Sequence, residues 1–245
     1  MKERLNKYIA KSGICSRRKA DDLIKQGKVK VNDKIVKEVG IQINPNKDKV
    51  YVEGKLIKPI QEKTFIKLYK PRGYLTQIGK DKFGRKTLSD LLQELNIKER
   101  VFPVGRLDYD SEGLLILTND GYIANRLAHP RFKVPKTYIV EVQKRVNLDT
   151  FRKMKKGIKL DDGFIKPDEL KIVRKKNKST ILEITLHSGK KRVIRRFMEA
   201  FGHPVLRLIR TKIGNIKLGD MKEKEWKKIP EKELYKLLDK KGKKL

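Results

Sequence analysis

The sequence predicts an α+β protein in two parts: a small N-terminal domain over residues 1–60 and a larger mixed, mostly antiparallel domain over 61–235, followed by a basic tail at 236–245. Three observations lead there. Helical periodicity opens the chain and then recurs only in short stretches, strand-like segments dominate beyond residue 64, and the two kinds of segment do not alternate regularly. Regular alternation would favour a doubly wound parallel sheet, whereas short joins between strands favour antiparallel pairing. A length of 245 residues suits one small and one medium domain.

Residues 4–11 place Leu5 and Ile9 at i and i+4, and Ser12-Gly13 interrupts that pattern. Ser16 can cap a second helix whose Ala20, Leu23 and Ile24 form one apolar stripe, closed by Gly27. Strand signals follow at 28–31 and 50–52, with turns at Asn32-Asp33 and Gly54, and a Lys- and Pro-rich stretch near 55–63 reads as a linker. In the second part, strands are expected at 65–68, 114–118, 137–142, 170–173, 180–186 and 206–209, and helices at 87–95 and 122–128. A further amphipathic stretch puts Val193, Ile194, Phe197, Met198 and Phe201 on one side and Arg192, Arg195 and Arg196 on the other, with Gly202 suited to the position after the helix end. Glu199 sits among those arginines and can pair with them.

Lysine and arginine number 63 against 30 acidic residues, a formal charge of +33, which calls for a polyanionic partner. Heat-adapted composition would account for lysines matched by glutamates, but not for that net excess. No stretch approaches the roughly 20 apolar residues of a membrane span and no signal-peptide pattern opens the chain, so nucleic acid is preferred to a membrane surface and a cytoplasmic, monomeric protein is expected. Cys15 is alone, and His129, His187 and His203 are scattered, so neither a disulfide framework nor a metal site is expected. No cofactor is expected either. Arg17, Arg18 and Lys19 crowd cations onto the first turn of the second helix, where the helix dipole disfavours each by about 0.3–1 kcal/mol. A broken local rule of that kind points to phosphate binding; the plain alternative is a solvated charged turn.

The stretch 105–121 carries the chemistry. An extended chain would put Arg106 and Asp108 on one face and Leu107 on the other, a guanidinium beside a carboxylate. The plain alternative is a surface turn in which Asp108 or Asp110 bonds a nearby backbone amide. Ser111-Glu112-Gly113 suggests that the chain turns there, which would leave Asp110 tolerant of substitution.

The run Gly105-Arg106-Leu107-Asp108-Tyr109-Asp110-Ser111-Glu112-Gly113-Leu114-Leu115 closely resembles the central motif of RNA pseudouridine synthases, in the branch that carries an S4 RNA-binding domain and modifies ribosomal RNA. Arg4-Leu5-Asn6-Lys7-Tyr8-Ile9-Ala10 and Ser16-Arg17-Arg18-Lys19-Ala20-Asp21-Asp22-Leu23-Ile24 resemble the S4 domain. Lys70-Pro71-Arg72-Gly73-Tyr74, the segment 136–142, the segment 188–202 and the segment 205–214 resemble, in order, the opening turn, the tyrosine strand, the basic helix and the closing strand of the catalytic domain.

The resemblance implies the pseudouridine synthase fold, with Asp108 as nucleophile, Tyr138 as the active-site tyrosine and Arg195 as the basic partner of the aspartate. It also implies RNA contacts from Arg4, Arg17, Arg18, Lys19, Arg106, Arg192, Arg196, Arg207 and Arg210. Without it, Tyr138 on a strand face would be read as core. The implied reaction breaks the bond from ribose C1′ to N1, turns the base and rejoins it at C5. An ionised aspartate suits this, attacking either the sugar or the base ring. Arg106 is expected to fill the stack that an extruded uridine vacates. The implied partner is ribosomal RNA or a ribosome-assembly intermediate, the large subunit being preferred to the small. A non-catalytic assembly protein would explain the charge but not the trio Asp108, Tyr138 and Arg195, and no recognition-helix pair or zinc module favours DNA.

Overall fold

A computed structural model of the chain describes residues 2–60 and 62–239, with side chains to Tyr235, and divides it into two compact units, Met1–Lys63 and Thr64–Leu245. In the first unit, strand β1 (Glu3–Arg4) leads into helices α1 (Leu5–Lys11) and α2 (Arg17–Lys25), followed by β2 (Val29–Val31), β3 (Lys34–Val36), β4 (Gln42–Ile43), β5 (Val50–Val52) and β6 (Lys55–Ile57). The strands form a four-stranded antiparallel sheet in the order β3-β2-β5-β6, while β1 pairs with β4. Leu5, Tyr8, Ile9, Ala20, Leu23 and Ile24 pack the two helices onto Val29, Val50, Val52 and Ile57. Ser16 caps α2 as its spacing predicts, its hydroxyl accepting from the Lys19 N–H at 3.3 Å.

The segment expected to be a linker begins instead as β6. Glu53 and Gly54 both take positive φ, 48° and 79°, the geometry of a tight hairpin turn. Lys55 and Leu56 are exposed and only Ile57 is buried. A lysine-bearing edge strand therefore looks in sequence like a solvated connection.

The second unit runs through β7 (Phe65–Lys70), α3 (Leu88–Glu94), β8 (Phe102–Pro103), β9 (Glu112–Thr118), α4 (Gly121–Ala128), β10 (Lys136–Gln143) and α5 (Leu148–Lys156). It continues with β11 (Ile158–Leu160), β12 (Gly163–Ile165), β13 (Glu169–Lys175), β14 (Ser179–Leu186), α6 (Val193–Ala200), β15 (Val205–Ile213), β16 (Ile216–Lys217), β17 (Trp226–Lys228) and α7 (Glu231–Asp239). Its main sheet has the order β13-β14-β10-β15-β9-β7-β17, with β16 attached to β15 and β8 to β9. The pairings are antiparallel except β9 with β15, where Ile209 lies beside Glu112 and Arg210 beside Gly113. The last turn of α7 overlaps the expected tail, of which residues 240–245 lie outside the described residues.

Strand β9 is buried at all seven positions and packs on both faces. Leu114 and Ile116 join the cluster with Ile123 and Leu127 of α4, while Leu115 and Leu117 join Leu88 and Leu91 of α3. That is the two-residue period of a strand covered on both sides. A third cluster sets Val140 and Val142 of β10 against Val193, Ile194, Phe197 and Met198 of α6. The sheet thus carries the 106–111 segment at the entrance to β9, and α6 packs on the β10 side of the same sheet.

Candidate active site

Residues 105–111 approach β9 from a pinned position. Leu107 is buried, its N–H donates to Thr76 Oγ1 at 3.1 Å, and its carbonyl accepts from the same hydroxyl at 2.7 Å. Arg106 is exposed and Asp108 half-buried on the other side, as an extended chain requires. The chain then turns: the Ser111 N–H donates to the Asp108 carbonyl at 3.1 Å.

Two buried cations hold this segment from behind. Lys70, at the end of β7, has no exposed surface, and its Nζ donates to the carbonyls of Pro71 at 2.9 Å, Asp108 at 3.3 Å and Ser111 at 2.9 Å. All three ammonium donors have acceptors. Burial, helped by Arg210, pulls the Lys70 pKa down to about 8 against the opposing charges of Asp108, Asp110 and Glu112. Arg210 is 2% exposed; its Nε donates to the Leu114 carbonyl at 2.8 Å and its Nη1 to the Arg106 carbonyl at 3.2 Å, while Nη2 is buried with no partner among the described residues. Lys136, at the start of β10, is likewise drawn down to about 8 by burial and by Arg210.

The Asp108 carboxylate itself has no hydrogen-bond or ion-pair partner among the described residues; Lys70 and Arg195 act on it through their charge. Arg195, expected to pair with Asp108, pairs with Asp110 instead. Its Nη2 lies 3.1 Å from Asp110 Oδ2 and donates to the Asp110 carbonyl at 2.9 Å, and Arg192 reaches Asp110 Oδ1 at 3.2 Å. The turn at 108–111 is the cause, because it brings Asp110 round to α6 while Asp108 stays at the entrance. Asp110 is therefore an ion-paired residue and not the indifferent one the turn alone suggested.

Tyr138 lies half-buried on β10, on the face of Val140 and Val142, with Arg210 and Ile184 as its cross-strand neighbours. No hydrogen bond joins it to Asp108 or Arg195.

The expected RNA-contacting residues divide into three groups. Arg4, Arg17, Arg18, Lys19 and Arg106 are exposed, with no ion-pair partner among the described residues. Arg192, Arg196 and Arg207 are partnered: Arg192 by Asp110, Arg196 by Asp162 at 2.7 Å, and Arg207 by Glu112 at 2.8 Å. Arg210, expected to touch the RNA backbone, is the correction. Its parity on β15 points inward, where its guanidinium binds main-chain carbonyls and no phosphate can reach it.

Lys70 and Glu112 adjoin the candidate site, and sequence reasoning does not single them out. Glu112 is 1% exposed and receives Arg207, Arg72 at 3.1 Å and the Tyr69 hydroxyl at 3.1 Å. Burial pushes its carboxyl up, and Arg207, Tyr69 and Arg72 together hold it below its ordinary value. Burial and the Glu112 charge drive Tyr69 up to about 12. The available signal for both is position: Lys70 closes an apolar strand and Glu112 opens one.

The structure thus sets a half-buried Asp108 on a clamped backbone, Tyr138 on β10, and Arg195 on α6 paired with Asp110. Residues 64–200 match the family described as RNA pseudouridylate synthase, and residues 3–49 match the S4 domain. The chain belongs to the RNA pseudouridine synthase family. An uncharacterized RNA pseudouridine synthase of Aquifex aeolicus is 52% identical over 237 residues, covering 97% of this chain and 94% of that one. The ribosomal large subunit pseudouridine synthase B of Bacillus subtilis is 42% identical over 228 residues, covering 90% and 91%. A crystal structure of a pseudouridylate synthase superposes with a TM-score of 0.67 at 30% identity, over 96% of this chain and 99% of that one. This synthase is accordingly an isomerase of uridine in RNA, built as an S4 domain followed by the catalytic domain. Among its described residues, no helix is long and apolar enough to cross a membrane, and no group of three or more His, Cys, Asp or Glu could hold a metal ion.

Proposed function

We propose that the synthase modifies uridine in ribosomal RNA of the large subunit, free or in an assembly intermediate, acting in the cytoplasm as a monomer without a cofactor, with Asp108 as nucleophile. The observation that carries the site assignment is the pairing of a partner-free Asp108 carboxylate with a backbone clamped by Lys70 and Arg210. A nucleophile needs free lone pairs and a fixed position, and here the constraint falls on the main chain instead of the carboxylate. The large-subunit choice rests on the likeness to the large-subunit synthase of Bacillus subtilis.

In the proposed reaction Asp108 adds either to ribose C1′ or to the base ring, the C1′–N1 bond breaks, the base turns, C5 bonds to C1′, the bond to the Asp108 carboxylate breaks to restore the free aspartate, and C5 loses its proton while N1 gains one. Arg195 and Lys70 stabilise the aspartate's charge once RNA displaces water. Tyr138 stacks on the base or takes part in the proton transfer. The exposed Arg106 fills the stack left by the extruded uridine. Arg4, Arg17, Arg18 and Lys19 bind phosphates, joined by Arg192, Arg196 and Arg207 when RNA competes with their carboxylates.

Carbodiimide treatment followed by reverse transcription of ribosomal RNA, with and without the protein, tests this reading. The expected result is a stop on large-subunit RNA that depends on the parent protein and vanishes with Asp108→Asn. A stop confined to small-subunit RNA would reassign the substrate.

A further inference from the structure

Between Thr76 and Thr87 the chain leaves the catalytic domain in a ten-residue loop whose stems meet beside the aspartate. Thr76 is the residue bonded twice to Leu107. The return stem is tied to the outgoing one by the Leu75 N–H to the Lys86 carbonyl at 2.9 Å and the Leu88 N–H to the Leu75 carbonyl at 2.8 Å. Gly73, just before, donates to the carbonyl of Tyr109, the neighbour of Asp108, at 2.8 Å. Arg85 also senses the Tyr109 hydroxyl electrostatically.

The loop is organised by Asp81, whose side chain is only 8% exposed. Its Oδ2 accepts from the N–H groups of Phe83 at 3.0 Å and Arg85 at 3.3 Å and from Arg85 Nε at 2.9 Å, while Oδ1 accepts from Arg85 Nη2 at 3.0 Å. What this presents is Phe83, at 81% exposure the most exposed large apolar side chain among the described residues. Arg85 lies 5.3 Å from the ring centroid, and Lys80 and Lys82 stand exposed on the same loop.

Phe83 belongs to none of the core clusters, and the Asp81 carboxylate fixes the backbone that carries it. Ile78 is the one other exposed large apolar side chain on the loop, and the remaining exposed side chains around Phe83 are the cations Lys80, Lys82, Arg85 and Lys86, which does not suit a protein patch. A flat ring between cations suits a nucleobase with its phosphate.

We propose that Phe83 is an RNA-stacking residue of this synthase, receiving an unpaired base next to the target uridine while Lys80 and Lys82 meet its backbone. The proposal rests on the RNA-modifying reading and adds a substrate-positioning role for a loop outside the motifs. Aromatic stacking on a base corresponds to about a 5- to 150-fold change in affinity on truncation.

The test uses the full chain and protein-free transcripts of the substrate RNA that the parent modifies; a parent inactive on every transcript would instead refute the proposed substrate. Phe83→Ala is expected to raise KM for RNA about 5- to 150-fold with kcat at saturating RNA little changed, and to do so equally at low and high salt, since stacking is not screened as charge is. Phe83→Trp should restore KM, and its added indole emission, above the Trp226 background, should be quenched by RNA. An Ala variant with parental KM, or an indole that RNA leaves unquenched, would overturn the proposal. A KM increase that disappears at high salt would also overturn it, by assigning the effect to charge.

Discussion

Asp110 shows how a single residue can be legible in kind and illegible in direction. Two aspartates of the same parity stand in sequence before an arginine-bearing helix, and only the Ser111-to-Asp108 hydrogen bond decides which of them meets it. Asp108→Asn should bring pseudouridine formation below detection while leaving RNA affinity nearly intact, since removing a negative charge from a basic site costs no phosphate contact. Asp110→Asn should weaken the hold on Arg192 and Arg195 but keep the bond from Arg195 to the Asp110 carbonyl. A partly exposed pair is worth about 1 kcal/mol, so single-turnover rates should fall about fivefold. An inactive Asp110 variant beside an active Asp108 variant would transfer the nucleophile. Lys70 gives a pH prediction. Its native pKa of about 8 lies below its ordinary 10.5, so the unfolded chain keeps the proton longer. Lys70's contribution to stability is therefore fully present above pH 10.5 and is lost as the pH falls through about 8. Relative to Lys70→Met, the parent should gain thermal stability between pH 8 and 10.5; parallel melting-temperature curves would refute the buried charge.

Elements are legible where one physical signal dominates. The apolar run 114–117 within β9 and the capped helices α2, α3 and α4 stand out from hydropathy and caps, and the apolar stripe of α6 names the residues that it buries. Helix α5 and the β11–β12 hairpin escape sequence reading because their segments are mostly charged or short, with Met154 and Ile165 as the buried anchors. The parallel join of β9 to β15 is not legible either, since it depends on backbone approach. A Cβ on Gly113, whose φ is 103°, would lie 2.4 Å from the Arg210 carbonyl and 2.7 Å from its nitrogen. Gly113→Ala must therefore strain the backbone and push the two strands apart next to Glu112 and the Asp108 turn. It should destabilise the catalytic domain by about 2–4 kcal/mol in denaturant unfolding and reduce turnover in the fraction that remains folded. Unchanged stability would mean that the two strands part without consequence.

For the molecule as a whole, the net charge of +33 announces a polyanion but does not tell which cations are available to it. The structure sorts them by what they already hold. Arg17 and Arg18 project from a helix start with no acidic residue in its first turn, whereas Arg192, Arg196 and Arg207 each face a carboxylate. A cation that must first release a carboxylate gains less from a phosphate, and counterion release counts phosphates newly neutralised. Plots of log affinity against log salt for a structured RNA should therefore flatten when Arg17 and Arg18 are changed to alanine, by about 0.7–0.9 for each phosphate no longer neutralised. Arg196→Ala should change the slope much less, since it frees Asp162 as well as removing a cation. Melting temperatures of the Arg17 and Arg18 variants should stay near the parental value, because neither side chain is buried. Equal slope changes from all three positions would mean that RNA displaces the carboxylates outright, and an unaltered slope for the Arg17 and Arg18 double variant would place the phosphates away from α2.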